Sequence, residues 1–237
     1  MGIETTPSTA ISTVQGSWYR IGAAAALLLA LGYIVIIPLY ARVGAPPTHA
    51  DAWFSYLPGK TALWWTILAI SVFTDLLYLP VALALYLALK PAAKYTIALA
   101  CALVGLFVSV DLAVTWTHYA SILVLFQRYS AATDPSTRAA CQAAVAYASA
   151  MLVSPLEIVY AIVILSSGIL LIALVMLRSP FAGFTAWAGI ATGLLGILCL
   201  TGNSLAVIGN ALCATLWLIA VAVDLHHQAR AANPLTR

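Results

Sequence analysis

Charge is what this chain has least of. Only 7% of its 237 residues are Asp, Glu, Lys or Arg, while 64% are hydrophobic. An average soluble domain carries roughly 25% charged residues, so a water-facing globular surface is excluded. Ten Lys and Arg against seven acids leave a net charge of +3. That balance is too small and too scattered for a nucleic-acid surface, and no nucleic-acid partner is expected. Cysteine is scarce as well: Cys101, Cys141, Cys199 and Cys213 form no CxxC pair. Neither a disulfide framework nor a zinc site is implied, and small buried hydrophobes is the expected role. The chain has no P-loop, GxGxxG, GxSxG or HExxH, which removes the phosphate-cradling, dinucleotide, hydrolase-elbow and zincin readings. With His118 as the sole mid-span histidine and no mid-span lysine, a clamped haem and a retinal Schiff base are excluded too. No cofactor and no metal are expected.

Apolar runs are what the chain does have. Several exceed 18 residues, the length of a membrane-crossing helix. The polar first twenty residues lack the basic segment of a cleavable signal, so the first span is expected to stay as an anchor. The reading is an all-α, polytopic bundle of six transmembrane helices in one integral membrane domain. The spans fall at about 21–40, 61–89, 95–126, 154–177, 181–200 and 205–223. Trp18, Tyr19 and Arg20 before span 1, and Tyr40 and Arg42 after it, read as interfacial anchors. Span 2 exceeds a perpendicular crossing, so tilt or a kink at Pro80 is expected. Span 3, at about 48 Å for 1.5 Å per residue, should project beyond the bilayer. Asp134 or Ser136 is placed to cap the following helix. The Ala-rich run after it should lie outside the membrane or at its surface, with a kink at Pro155 before span 4.

Six spans put both ends on one side. With the N-terminus in the cytoplasm, the inner face carries Arg20, Lys90, Lys94, Arg178, Arg230 and Arg237, and the outer face Arg42, Lys60, Arg128 and Arg138. That asymmetry favours the N-in topology. A faint echo links PAAKYTIALACA at 91–102 to PFAGFTAWAGIA at 180–191. Both segments run the same way, unlike an inverted transporter repeat.

Four ionisable groups fall inside spans: Asp75, Asp111, His118 and Glu157. A charge in hydrocarbon costs about 2.5–3.5 kcal/mol on insertion scales, so such groups turn inward and mark sites. Asp111 and His118, seven apart, share a helix face with Thr115 between them. These four are the candidate catalytic residues. A carboxyl in a dry pocket can hold a proton near neutral pH and donate it, shuttle it or hold a cation. Trp116, Tyr119, Trp64, Trp65 and Tyr160 are the candidate substrate-binding residues, with Trp53 and Tyr56 joining the tryptophans as a rim. Each acid alternatively bonds a neighbour and fixes packing. Asn203 and Asn210 read as interhelical hydrogen bonds, and Gly189, Gly193 and Gly196 as a close-packing face.

RIGAAAALLLALGYI in span 1, SSGILLIALVMLRSPFAGFTAWAGIATGLLGIL across spans 4 and 5, and the final LWLIAV resemble the bacterial six-span family called domain of unknown function 4386. The resemblance implies a six-helix fold and a place in the bacterial inner membrane. LEIVYA at Leu156–Ala161 is similar to the WEIVYG segment of fungal integral-membrane terpene cyclases. That similarity implies embedded acids protonating a polyene or an epoxide. Two functions are therefore in view: an enzyme using acid/base chemistry on a lipophilic, isoprenoid-like substrate, with Asp111 and Glu157 as acid and base, or a small proton-coupled carrier or solute-binding protein. A structural subunit is the third. The lipid bilayer and a lipophilic small molecule are the expected partners.

Overall fold

The computed structural model describes residues 7–232, with no side-chain account of residues 7–13 and 204. The chain's first six residues and the end of its tail, Arg237 included, lie outside the described residues. Among the described residues every regular element is helical. α1 spans Pro7–Val43 and α2 is the short Ala52–Tyr56. α3 runs Thr61–Asp111 and passes through a π-helical turn, Leu112–Trp116, into α4, Thr117–Ala131. α5 is Pro135–Leu152 and α6 the single turn Pro155–Ile158. A second π turn, Val159–Val163, leads into α7, Ile164–Met176. α8, Gly183–Leu198, and α9, Ser204–Ala231, complete the fold.

Five helical stretches are long and apolar enough to cross a membrane, and they mark a multi-pass membrane protein. Leu31, Ile34, Phe73, Leu106, Leu194 and Leu212 are exposed on the outside of the bundle, as lipid contact requires. One of the five stretches, Thr61–Ala131, is 71 residues long, which as a straight rod would reach on the order of 100 Å. It doubles back instead. Ala93 leaves helical geometry (φ −159°, ψ 74°) just after Pro91. Cys101 Sγ bonds the Ala82 carbonyl at 3.3 Å, the Tyr78 and Phe107 rings meet at 5.7 Å, and Trp116 reaches Asp75. α3 runs through Pro80 without leaving helical geometry, and the break falls between spans 61–89 and 95–126, just after Lys90 and Pro91.

α1, both halves of α3, α7, α8 and α9 form the bundle around a core of Leu29, Leu85, Ile97, Ile169, Trp217 and Leu218. Lipid tails are as apolar as leucine, so close packing through small residues holds such helices together. Gly22 sits against Ala84 and Leu225, Gly32 against Thr74, and Gly189 against Ala173 and Trp217.

A second cluster caps one end of the bundle. Val43, Trp53, Leu57, Trp64, Ile67, Ile122, Leu123, Val145 and Ala148 bring together α2, the start of α3, α4 and α5. Trp53 Nε1 donates to Ser149 Oγ at 3.2 Å. Trp64 Nε1 donates to the Tyr56 hydroxyl at 3.2 Å, which donates to the Gly44 carbonyl at 3.1 Å. Lys60 donates to the Val43 carbonyl at 2.9 Å and lies 4.0 Å from the centre of the Tyr56 ring.

Asp134 caps α5, accepting from Ser136 Oγ and Thr137 N, both at 2.7 Å. These bonds hold its carboxyl well below the ordinary value of 3.8. A depressed pKa stabilises the fold above the unfolded value and loses that effect as pH falls below it. The start of α5 is therefore expected to fray first on acidification below about pH 4. Amide exchange across 136–140 should show this in the wild type. Asp134→Ala should show the frayed rate at neutral pH, with little further acid sensitivity.

Candidate functional site

The site lies beneath the cap, where the two π turns face the end of α1. Inserting one residue into a helix re-aims the side chains beside it, and such turns recur at functional sites. Here the Leu112–Trp116 turn delivers Thr115 and Trp116, and the Val159–Val163 turn delivers Ala161, to a cavity of about 250 Å³. α3 contributes Ser71, Thr74, Asp75, Phe107 and Asp111, α1 contributes Tyr33, Ile36 and Tyr40, α4 contributes Tyr119, and α6 contributes Glu157.

Three carboxyls, Asp75, Asp111 and Glu157, therefore share one cavity, and no Lys, Arg or His lines it among the described residues. Asp75 is 5% and Asp111 3% exposed, while Glu157 is half-buried. Asp75 is held in place: Trp116 Nε1 donates to its Oδ2 at 2.6 Å, the short length of a strong bond. Asp111 adjoins Asp75, Thr115 and Trp116, yet its Oδ1 and the Thr115 hydroxyl have no hydrogen-bond partner among the described residues. Buried polar atoms nearly always find partners, so such exceptions call for an explanation. Five aromatic rings complete the wall: Tyr33, Tyr40, Phe107, Trp116 and Tyr119. Trp64 stacks on Tyr119 from behind, with ring centres 5.0 Å apart at 19°.

A larger cavity of about 470 Å³ adjoins the first through the shared residues Tyr33, Ile36, Tyr40 and Ala161. Ile169, Val207, Ile208 and Leu212 make most of its character apolar, relieved by Ser166, Thr192 and Asn210. At the junction the Tyr33 and Tyr78 hydroxyls bond at 2.7 Å.

Of the residues singled out in the sequence, the cavity brings together Asp75, Asp111, Glu157, Trp116 and Tyr119. It leaves out His118, whose ring nitrogen bonds the Val114 carbonyl and whose ring faces Tyr147 of α5 at 5.9 Å. The π turn is the reason. It adds a residue between Asp111 and His118, so seven positions no longer return to the same face. Trp64 supports the wall without lining it, Trp65 packs in the cap, and half-buried Tyr160 lies outside the wall. Tyr40, expected as an interfacial anchor, turns into the cavity. Asn210 does bond between helices, donating to the Thr192 carbonyl at 2.8 Å, whereas Asn203 accepts from Leu205 N and caps α9. Tyr33, Tyr78 and Thr74 were not foreseen. A tyrosine inside an apolar span was the available signal, since a buried hydroxyl needs a partner.

No group of three or more His, Cys, Asp or Glu among the described residues is arranged to hold a metal ion. Compared with family models, with curated proteins and with solved structures, the chain matches none.

Proposed function

We propose that the acid-lined cavity is the active site of an integral membrane enzyme that performs acid/base chemistry on a lipophilic, isoprenoid-like substrate. One observation carries this reading. Three carboxyls meet without a basic side chain on the wall, ringed by aromatic faces, beside a chamber suited to an apolar tail. A donor that protonates an olefin or an epoxide leaves positive charge on the substrate. Ring faces and carboxylates stabilise such charge in a dry site. Asp111, whose Oδ1 has no hydrogen-bond partner among the described residues, is the donor. Asp75, fixed by Trp116, stands beside it. Glu157, on the opposite element, takes a proton from the neighbouring carbon, so the net change is an isomerisation or cyclisation that needs no co-reactant. The proton count closes when Glu157 returns its proton to Asp111 through Asp75 or water.

The finer membrane arrangement belongs to the same proposal. The two halves of the hairpin at Ala93 each cross, giving six spans, with the N-terminus inside and the cap outside. Arg20, Lys90, Lys94, Arg178 and Arg230 then face the cytoplasm, in accord with the positive-inside rule.

The test is conversion of a lipid. The purified protein in liposomes is incubated with an isoprenoid-containing lipid extract, followed by mass spectrometry, with Asp111→Asn and Glu157→Gln beside it. Loss of one species and gain of an isomer by the wild type alone supports the enzyme. The same cation-free, aromatic wall also suits a proton-coupled carrier of a lipophilic amine. That reading predicts an unchanged extract and amine-driven proton movement across the liposome.

A further inference from the structure

We infer that the substrate reaches the acids sideways from the bilayer, through a gap between the outer ends of α1 and α9, and that it is a lipophile with one long apolar part and a small reactive end. This inference rests on the enzyme reading and adds to it the way in and the shape of what enters.

The large chamber has two kinds of wall. Ile169 is buried, whereas Ile37 of α1 and Val207, Ile208 and Leu212 of α9 are exposed to the outside of the bundle while also lining the chamber. Ile208 is 57% and Leu212 53% exposed. A residue that faces both the chamber and the surroundings stands at a mouth. The two helices are in close contact at their other ends, where Gly16 lies against Ala232 and Gly22 against Leu225. At the cap end the chamber lies between them.

Among the described residues the mouth carries no ionisable side chain, so an ionic or strongly hydrated solute gains nothing there, whereas a hydrocarbon passes from lipid to chamber without losing its surroundings. On the cap side aromatic rings narrow the approach from water, and only Glu157 of the three acids is half-exposed. Trp53, Trp64 and Tyr119 pack edge-on and stacked above the acids, and α5 lies over them through the Trp53–Ser149 bond. At about 470 Å³ the chamber lies within the range of small-molecule sites, ~300–1,000 Å³. The acid cavity beyond Tyr33 and Tyr40 is about half that size. An extended tail stays in the chamber and a compact head passes the tyrosines.

The test reads labelling and not turnover. A diazirine-bearing farnesol is dissolved in liposomes holding the full chain, irradiated, and the labelled peptides are mapped. The wild type is expected to label on 207–212 and on the wall around Glu157 or Trp116. Ile208→Trp and Ile37→Trp should each cut the labelling around Glu157 and Trp116 at least tenfold. Phe73→Trp, a change at an equally exposed apolar position on α3, should leave it at the wild-type level. A wild type that labels in this way yet converts no lipid fails the catalytic reading and leaves the portal standing. Wild-type labelling of the acid cavity in both plugged variants would overturn the portal, as would the absence of label from the chamber in the wild type.

Discussion

Leucine in place of Gly196 is expected to prevent the bundle from closing. A Cβ at Gly196 would lie 1.8 Å from Ser166 Oγ and 2.4 Å from Ser166 Cβ, and 2.9 Å from Asn210 Nδ2. Real carbon atoms do not approach so closely, so even alanine forces α7 and α8 apart. Ser166 borders the chamber, so its hydroxyl can turn away, but its Cβ, 2.4 Å from the added carbon, is fixed by the α7 backbone. The helix-propensity gain of about 1 kcal/mol for leaving glycine is smaller than the cost of overpacking, about 1–3 kcal/mol for modest insertions and more for a whole side chain. The added carbon would also press on Asn210 Nδ2 of α9, which donates to the Thr192 carbonyl of α8. Gly105 supplies the contrast, since a Cβ there meets nothing within 4 Å, and Gly105→Ala should hold or slightly raise stability. Thermal unfolding in detergent decides it. Gly196→Leu should lose about 3 kcal/mol or more, or yield no folded protein, and a wild-type melting curve for it would show that the α7–α8 contact does not hold the fold.

The same contact shows what a sequence can and cannot disclose. Gly189, Gly193 and Gly196 recur at a helical spacing, so a close-packed face was readable; that its partners are Ser166, Leu170 and Ala173 of α7 was not. The membrane-spanning class followed from length and hydropathy, because the bilayer imposes both. The hairpin in α3 followed only in outline. Lys90 and Pro91 announced a turn, yet the helical pattern resumes within a few residues. The acids were legible for a different reason. A carboxyl in an apolar run is costly wherever it sits, and that cost forces Asp75, Asp111 and Glu157 inward regardless of topology. Which of their neighbours joined them depended on helix phase, and the π turn at Leu112–Trp116 changed that phase after Asp111. Nothing in LAVTW signals such a turn to periodicity alone, so His118 was counted in and Tyr33 and Tyr40, from a helix far off in sequence, were not.

Asp111→Asn is expected to make the protein more stable while removing its activity. The two effects together distinguish a working site from a packing device. Asp111 is buried, its Oδ1 accepts no hydrogen bond among the described residues, and its neighbour is a second carboxyl. Two carboxyls side by side, with no cation among the described wall residues, repel each other once Asp111 has given up its proton. The amide keeps the shape, carries no charge and can donate to Asp75, a hydrogen bond worth about 1 kcal/mol. If Asp111 held helices together through a charge-assisted hydrogen bond, asparagine would weaken that bond and lower stability. If it donates a proton, the amide cannot replace it, and turnover should fall by about 10²–10⁴. Trp116→Phe runs the opposite way. It strips the 2.6 Å bond from Asp75, leaving a buried acceptor unmet at a cost of about 1–3 kcal/mol. Melting and lipid conversion measured on the same preparations place each variant in one quadrant. Asp111→Asn belongs in the stable, inactive one, and its appearance among the destabilised variants would return the acids to a structural role.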